Sequence, residues 1–344
     1  YKRQDEFGII WIGTKDGLNR YNGTDFYVFR PVKGDKNSLY NNNIGTICGD
    51  KQGHIYIRCK YAVVEYDIKK NTFHTIRDND IQAITYDNAR LWVCTRDSLF
   101  TYNRVEDRLD YYYNLEGVRM SCVTEDSAGN LYVGTMNNGL YMIDHNKKWL
   151  NYFPKKDITC IYEDSKKSIW VGTKDDGLFR LDRNGGITNY GTAPHQNMLS
   201  SSYVRCVVED NLGNYWIGTF KGLDKLDVTT GTFTHYSKDN KPYSLSNSSI
   251  ICMMKDRQGT FWIGTYYGGV NLFNPDYEIY TYYYPDESQK GKLTSPFAGR
   301  MTEDSNGGIW IATEGGGVNY LDKKTKTFTE YKHDATKNSL ASNT

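Results

Sequence analysis

A short motif recurs eight times in this chain of 344 residues. It begins with an aromatic residue and reads Trp-Ile-Gly-Thr or a close variant. Its aromatic anchors are Trp11, Tyr56, Trp92, Tyr132, Trp170, Trp216, Trp262 and Trp310. The anchors lie about 43 residues apart, which is the period of a four-stranded propeller blade. Because one blade cannot bury both of its faces alone, the units must stack around an axis. The repetition therefore predicts an all-β fold, a β-propeller of four-stranded antiparallel blades.

The sixth repeat shows how one unit supplies four strands. Runs rich in β-branched, aromatic and alternating apolar residues occupy residues 203–208, 215–219, 223–227 and 232–236. Short turns separate the runs, and Gly213 in the first turn is free to adopt a positive φ. Strands this close in sequence pair as antiparallel neighbours. The second and third repeats depart from the pattern, because neither carries Gly-Thr after its aromatic anchor.

The number of blades in the ring stays open at this point. Either all eight repeats form one eight-bladed ring, or the last repeat, roughly residues 297–337, belongs to a following propeller and the ring has seven blades. We expect residues 1–344 to be a single β-propeller domain. The chain starts inside a repeat and stops on a sequence resembling the linkers between blades, so we expect it to be a fragment of a longer protein.

Charge and cysteine usage exclude several classes of function. The formal net charge is +1, so no whole-molecule field favours nucleic acid. Cys122, Cys160, Cys206 and Cys252 each lie four residues before the turn aspartate of their repeat, which predicts one equivalent, small, buried and reduced position on four inner strands. Since no Cys-x-x-Cys or Cys/His cluster occurs, the sequence predicts neither a metal site nor a cofactor.

Three stretches carry a resemblance to a known family. Residues 11–23, 230–236 and 303–311 resemble the two-component regulator propeller repeat. In that family, two propellers and a small β-sandwich form the periplasmic sensor region of bacterial hybrid two-component systems, ahead of a membrane span, a histidine kinase and a DNA-binding regulator. The resemblance covers essentially the whole chain. The family's rings are usually seven-bladed, whereas eight repeats are present here.

The resemblance implies a periplasmic ligand-sensing module within an inner-membrane protein. Its ligand would be an oligosaccharide derived from a polysaccharide, and its readout would be transcription regulation. The implied partners are the second propeller and the β-sandwich of the same chain, with a homodimer in the full-length protein and no nucleic acid contacted by this part. No catalytic residue is carried over, because the repeat motif is structural. The alternative function is a protein-interaction or dimerisation scaffold without a small ligand.

Catalysis by this fragment is disfavoured. The phrase Asp-x-x-Gly-x-x-Trp at Asp304 to Trp310 resembles the Asp-box turns of sialidase propellers, where the motif is structural. A propeller glycosidase would need two carboxylates at a fixed separation, or a nucleophilic tyrosine with its base and an arginine cluster. No residue stands apart from the repeat pattern to mark such a set.

Candidate ligand-binding residues lie where the repeats disagree, in the loops after Gly-Thr and on the inner strands. Aromatic faces stack on sugar C–H groups, and charged donors bind hydroxyls. An arginine near the axis could instead pair for structural reasons, and tyrosine-rich outer strands at 111–113 and 280–284 could form a protein contact. The candidates are Arg96, Arg119, Arg205, Phe220, Lys221, Tyr266, Tyr267 and Arg300.

Overall fold

The computed structural model describes residues 2–191, 197–239, 244–275, 283–285 and 290–343. Every regular element in these ranges is a β-strand, and every strand pairs antiparallel with its neighbours in chain order. The described strands form seven sheets of four strands and one of three. The all-β fold of four-stranded antiparallel units is therefore confirmed. The predicted strand at 280–284 begins outside the described residues.

The first four sheets follow the chain without a crossover. Their strands are β1 Lys2–Gln4, β2 Ile10–Thr14, β3 Gly17–Tyr21 and β4 Phe26–Phe29 (blade 1); β5 Ile44–Gly49, β6 His54–Cys59, β7 Ala62–Asp67 and β8 Thr72–Arg77 (blade 2); β9 Ala83–Asp87, β10 Arg90–Cys94, β11 Ser98–Asn103 and β12 Arg108–Asn114 (blade 3); and β13 Arg119–Glu125, β14 Leu131–Met136, β15 Leu140–Ile143 and β16 Trp149–Tyr152 (blade 4).

The remaining sheets repeat the same order. Their strands are β17 Ile158–Glu163, β18 Ile169–Thr173, β19 Leu178–Leu181 and β20 Ile187–Tyr190 (blade 5); β21 Val204–Glu209, β22 Tyr215–Thr219, β23 Leu223–Asp227 and β24 Thr232–Tyr236 (blade 6); β25 Ile250–Lys255, β26 Phe261–Thr265 and β27 Gly269–Phe273 (blade 7); and β28 Ala298–Glu303, β29 Ile309–Thr313, β30 Gly317–Asp322 and β31 Thr327–Tyr331 (the eighth sheet).

The chain divides into two compact units, Tyr1–Asp276 and Tyr277–Thr344. In the first unit, the inner strand of each blade contacts the inner strand of the next, and β25 of blade 7 contacts β1 of blade 1. Seven blades thus close a ring within the first unit. The second unit holds the eighth sheet. The division at Asp276 places the eighth repeat outside the ring-forming unit, as the seven-bladed alternative requires.

A hydrogen bond between an indole and an aspartate recurs at the turn after the inner strand. In blade 6, Asp210 Oδ1 accepts the backbone N–H of Asn214 at 2.8 Å, and its Oδ2 accepts Trp216 Nε1 at 3.0 Å. The aspartate thereby closes its turn and satisfies a buried indole N–H. Equivalent indole bonds of 2.8–3.2 Å join Trp11 to Asp5, Trp170 to Asp164, Trp262 to Asp256 and Trp310 to Asp304.

Blades 2 and 3, which lack Gly-Thr, satisfy their turn aspartates differently. In blade 2 the anchor is Tyr56, and His54 Nδ1 takes the place of the indole on Asp50 Oδ2, at 2.5 Å. In blade 3, Trp92 Nε1 donates to Glu125 of blade 4 at 2.8 Å instead of to its own turn aspartate. The degenerate repeats therefore keep the fold with substitute partners.

Neighbouring blades are joined by a repeated bond beside these turns. Ser165 N in the turn of blade 5 donates to Glu209 Oε2 of blade 6 at 2.8 Å. The same geometry closes the ring, where Arg257 N of blade 7 donates to Gln4 Oε1 of blade 1 at 2.9 Å. Since the closing joint repeats the joints elsewhere, the seven blades need no special clasp.

The tryptophan prediction is confirmed for four residues and wrong for one. Trp11, Trp170, Trp216 and Trp262 are buried, whereas Trp310 in the eighth sheet is only half-buried. Trp216 packs against Phe261 and Phe273 of the next blade. Trp310 packs against Tyr320 and Tyr331 of its own sheet.

The inner-strand cysteines are free, and they are partly rather than fully buried as predicted, with enough burial to raise the pKa of the Cys122, Cys160 and Cys206 thiols. Each sulfur faces the glycine of Gly-Thr on the paired strand, and a Cβ at Gly218 would lie 2.5 Å from Cys206 Sγ and 2.6 Å from Ile250 Cγ2. The sulfur therefore leaves no room for a residue larger than glycine.

Candidate ligand site on the loop face

Two sets of variable segments meet on one face of the ring. Phe220 N in the loop after β22 donates a hydrogen bond of 3.0 Å to the carbonyl of Tyr203, which lies in the linker into β21. The loop after β26 donates from Tyr266 N to Ser249 O at 2.9 Å in the equivalent linker of blade 7. We call this face, formed by the loops and the linkers, the loop face. The opposite face, which carries the aspartate turns, is the turn face.

Arg205 on β21 lies between aromatic rings on the loop face. Its guanidinium carbon is 4.5 Å from the ring centroid of Tyr203 and 5.1 Å from that of Phe220. The two rings are nearly parallel, at 13° with centroids 6.2 Å apart. Parallel rings beside a guanidinium make a preorganised cation–π arrangement.

Blade 7 adds two tyrosines to this arrangement. The rings of Tyr266 and Tyr267 lie edge to face with centroids 4.4 Å apart. A hydrogen bond with Tyr267 raises the pKa of the Tyr266 hydroxyl, and the nearby positive charge of Arg205 lowers it. Arg205 reaches across the joint between blades 6 and 7, because its Nη1 donates to Ser249 Oγ at 2.9 Å and the carbonyl of Ser249 accepts Tyr266 N at 2.9 Å. Tyr203, Arg205, Phe220, Tyr266 and Tyr267 together form what we call the aromatic–arginine cluster.

The cluster presents its rings to solvent. Tyr267 is 85% exposed, Phe220 50% and Tyr266 48%. Large apolar side chains on the surface of a single chain are informative when they are grouped around a polar group. A ligand seated here would cover aromatic faces and meet a guanidinium as a hydrogen-bond donor.

Arg205 also has a structural bond. It occupies a β-bulge in the pairing of β21 with β22, and its Nη1 donates to Ile250 O, at 3.0 Å, and to Ser249 Oγ, at 2.9 Å. At the same bulge position, Thr159 of blade 5 donates to the first carbonyl of the next inner strand. A small hydroxyl residue can thus make this joint, so the structural bond alone does not require an arginine.

The other predicted residues fall into three groups. Lys221 is exposed beside Phe220 in the same loop. Arg96 and Arg119 are exposed in blades 3 and 4, where Arg96 O accepts Met120 N at 2.9 Å. Arg300 lies on β28 in the second unit. The structure thus brings together Arg205, Phe220, Lys221, Tyr266 and Tyr267, but it groups neither Arg96 nor Arg119 with them.

Sequence reasoning missed Tyr203. Its ring is the one nearest to the Arg205 guanidinium. The available signal was its position two residues before Arg205, since alternate residues of an extended segment share a face. The sequence pattern places Tyr203 in the inner strand, where an aromatic residue indicates packing between blades, whereas the structure begins that strand at Val204.

The turn face holds an acidic and histidine group that has the composition of a metal site. Ligand atoms of His54, Glu65 and Asp67 lie within 4.8 Å of one another. Arg104 already binds both oxygens of Glu65, at 3.0–3.2 Å, and His54 Nδ1 is bound to Asp50. A guanidinium on the carboxylate repels a second cation. We therefore assign these three residues a structural role rather than a metal-binding one.

A cavity of about 310 Å³ also opens on the turn face, between blades 4 and 5. Tyr132, Ile169 and Leu181 line it at positions where larger aromatic residues fill the joint between blades 6 and 7. Its carboxylates are committed: Asp126 Oδ1 accepts two backbone N–H groups of its turn, and Glu163 accepts an N–H and a hydroxyl of blade 4. The loop-face cluster offers the better recognition chemistry.

The cluster lies within segments that match a known repeat. The family model described as Two component regulator propeller matches residues 152–175, 198–221 and 244–267. Three segments of the chain thus match the two-component regulator propeller repeat. The resemblance drawn from the sequence is thereby confirmed, and the second and third matched regulator propeller segments contain all five residues of the cluster.

Solved structures share the fold of these regulator propeller repeats. The extracellular domain of the hybrid two component system BT3049 from B. thetaiotaomicron is 24% identical, with a TM-score of 0.69, and the match covers 97% of this chain and 52% of that one. The extracellular domain of the one component system BT4673 from the same organism is 21% identical, with a TM-score of 0.65, and the match covers 98% and 52%. The chain thus spans about half the length of these relatives.

At these identities the likeness shows the propeller fold alone. No curated protein matches the chain. The described residues contain no helix with the length and hydrophobicity needed to cross a membrane.

Proposed function

We propose that this chain is the periplasmic ligand-sensing propeller of a hybrid two-component system histidine kinase. It recognises oligosaccharides derived from polysaccharides and passes the signal to transcription. The observation that carries the proposal is the aromatic–arginine cluster, in which Arg205 lies 4.5 Å and 5.1 Å from two aromatic centroids on the loop face.

The chemistry of the cluster fits a sugar. Exposed rings of Phe220 and Tyr266 can stack on the C–H face of a pyranose, while the guanidinium of Arg205 donates directional hydrogen bonds to hydroxyl or carboxylate groups. A hydrogen bond to a charged group contributes about 1.5–3 kcal/mol when it is well made. Affinity would therefore be divided between stacking and the arginine.

The same proposal includes a location, which the extracellular relatives support, and partners, which rest on the family resemblance alone. The two relatives are extracellular domains, and this chain spans about half of each. We place the chain on the periplasmic side of an inner-membrane protein. Its partners are a second propeller and a β-sandwich of the same polypeptide, and the full-length protein is a homodimer. The fragment itself is not an enzyme, and the histidine kinase lies elsewhere in the full-length protein.

The proposal is tested by presenting the chain to an array of sulfated, acidic and neutral oligosaccharides, followed by calorimetry on each hit. We expect binding that falls at least tenfold in Phe220→Ala and Tyr266→Ala, and that is unchanged in Tyr111→Ala. Tyr111 is a matched control because it is an exposed aromatic residue on the outer strand of blade 3. Failure of every glycan class to bind would contradict the proposal.

The second candidate function is a protein-interaction or dimerisation scaffold. It is favoured by exposed aromatic residues on outer strands, since exposed aromatics are enriched at protein interfaces. These residues are Phe26 and Tyr27 on β4, Tyr111 on β12 and Trp149 on β16. Sedimentation of the wild type and of Phe26→Ser and Trp149→Ser variants would detect such an interface as a loss of self-association.

A further inference from the structure

Each linker in the second half of the chain is tied to the third strand of its own sheet by one side chain. In blade 7, Asn271 Oδ1 accepts Ser246 N at 3.0 Å, and Asn271 Nδ2 donates to Ser246 Oγ at 2.8 Å. In the eighth sheet, Asn319 binds the N–H and the hydroxyl of Thr294 in the same way. An amide suits this position because it accepts and donates at once.

Blade 6 has a carboxylate in the same place. Asp224 Oδ2 accepts both Ser200 N, at 2.8 Å, and Ser200 Oγ, at 3.0 Å. The Asp224 side chain is fully buried, and burial raises the pKa of its carboxyl group against the lowering effect of its hydrogen bonds. A buried carboxylate requires more donors than Ser200 supplies.

His235 on the outer strand supplies the additional donor. Its Nδ1 lies 2.8 Å from Asp224 Oδ1, and the imidazole is about half-exposed, with 45% of its surface open. The linker and β22 face this pair with the hydroxyls of Ser200 and Thr219. The neighbouring cation on β23, Lys225, lies instead over Trp216 at 5.5 Å. The described surroundings of Asp224 therefore contain one titratable partner, His235.

The tied linker leads directly into the aromatic–arginine cluster. Three residues after Ser200 comes Tyr203, whose N–H donates to Ser201 Oγ at 3.2 Å and whose carbonyl accepts Phe220 N at 3.0 Å. The Tyr203 ring then stands over the Arg205 guanidinium. Two residues, Ser201 and Ser202, thus separate the tied Ser200 from a ring of the candidate site.

We propose that Asp224 and His235 are positioning residues for the loop-face site. Together they form a protonation-sensitive latch on the linker of residues 197–203, where the neighbouring repeats use an amide latch that does not titrate. The consequence for ligand binding rests on the proposed function. The latch itself does not.

The direction follows from the charges. When the imidazole is protonated, the buried carboxylate of Asp224 has a cationic partner, and charge-assisted hydrogen bonds are roughly twice as strong as neutral ones. When the imidazole loses its proton, the same carboxylate keeps only neutral donors. An imidazole loses its proton as the pH rises. The linker should therefore be held more loosely at alkaline pH.

Hydrogen exchange of the Ser200 amide tests the latch without any ligand. We expect its protection factor, corrected for intrinsic exchange, to fall on the order of tenfold between pH 5.5 and 8.5. The Ser246 amide in the same molecule is the internal control, because Asn271 holds it. A Ser200 protection factor that stays constant with pH, or that changes in parallel with that of Ser246, would overturn the proposal.

Two variants separate the latch from the fold and from the ligand. Asp224→Asn reproduces the amide latch of blade 7, so the Ser200 amide should stay protected and its protection factor should no longer depend on pH. His235→Gln removes the imidazole and should likewise abolish the pH dependence. If a glycan binds, its affinity should fall with pH in the wild type and not in Asp224→Asn. Glycan binding that fails altogether contradicts the proposed function alone, whereas pH-dependent exchange that persists in both variants contradicts the latch.

Discussion

The turns of blades 5 and 6 are near copies of each other, whereas the loops on the opposite face of the same two blades share their backbone bonds and a threonine bond to a glycine carbonyl but differ in their other side chains. Asp164 and Asp210 each cap a turn N–H at 2.8 Å and accept an indole N–H at 2.9–3.0 Å. The loops that follow Gly-Thr carry Lys174 and Asp175 in blade 5 but Phe220 and Lys221 in blade 6.

The difference separates positions that the fold needs for stability, on the turn face, from positions that are free to serve recognition, on the loop face. A turn that must close a hairpin and satisfy a buried indole has one chemical solution, which is repeated. A loop that is tied by its backbone and by the threonine of Gly-Thr can carry any side chain at its other positions, and loops on a rigid scaffold commonly hold binding residues. We therefore expect substitutions on the turn face to change stability, and substitutions on the loop face to change binding.

The largest effect should come from the indole on the turn side. Trp216→Ala removes a buried ring that packs on Phe261 and Phe273, and should lower the free energy of unfolding by about 3–5 kcal/mol. Denaturant unfolding measures this. The half-buried Trp310 is the comparison, and Trp310→Ala should cost less. Equal costs would break the link between the burial of an indole and its contribution to stability.

Removing the aspartate beneath that indole should cost somewhat less. Asp210→Ala leaves the N–H groups of Asn214 and Trp216 without their acceptor, at about 2–3 kcal/mol for buried donors. Asp210→Asn keeps an acceptor and should recover part of the loss. Thermal unfolding of the two variants side by side would decide the matter, and an alanine variant as stable as the wild type would show that the turn is not set by this bond.

Replacing the glycine of Gly-Thr should destabilise the fold, and the loss should depend on how closely neighbouring side chains approach it. A Cβ at Gly218 would stand 2.5 Å from Cys206 Sγ, so Gly218→Ala should cost about 1–3 kcal/mol through overpacking. Cys206→Ala removes that sulfur and should restore part of the stability in the double variant. Additive losses in a double-mutant cycle would argue that the cysteine and the glycine do not share this space.

The smallest effect on stability should come from the loop face. Phe220→Ala truncates a ring that is 50% exposed, and surface substitutions usually change the free energy of unfolding by about 0.5 kcal/mol or less. The same denaturant titration applies. A loss as large as that of Asp210→Ala would mean that the loop is part of the core and would remove the contrast between the faces.

The repeat period predicted most of the fold because each unit carries its own complete set of local signals. Strand, turn and anchor lie within about 43 residues, so the four-stranded units could be drawn before any contact was known. Contacts between units were less predictable. That Trp92 donates to Glu125 of the next blade, and that Trp310 is half-buried, depend on neighbours that no local pattern specifies.

The candidate site was predictable in its parts but not in its grouping. Variable loops singled out Phe220 and Tyr266, and a charge in an apolar strand singled out Arg205. Only the contacts in the structure show that these three share one patch, through the Phe220 ring and Ser249, while Arg96 and Arg119 lie on other blades. The sequence did not single out Asp224, because it fits the alternating pattern of its strand. Its role becomes apparent only when it is compared with Asn271, which occupies the matching position in blade 7.

Calorimetry of one oligosaccharide against three proteins tests the central claim, that recognition lies on the loop face. The proteins are the wild type, the double variant Arg205→Ala with Tyr266→Ala, and Ser127→Ala, which alters a hydroxyl bound to Glu163 on the turn face. We predict that the double variant loses affinity at least a hundredfold, since it removes a charged hydrogen bond and a stacking ring together, and that Ser127→Ala binds as the wild type does. Unchanged affinity in the double variant, with binding abolished in Ser127→Ala, would place the site on the opposite face.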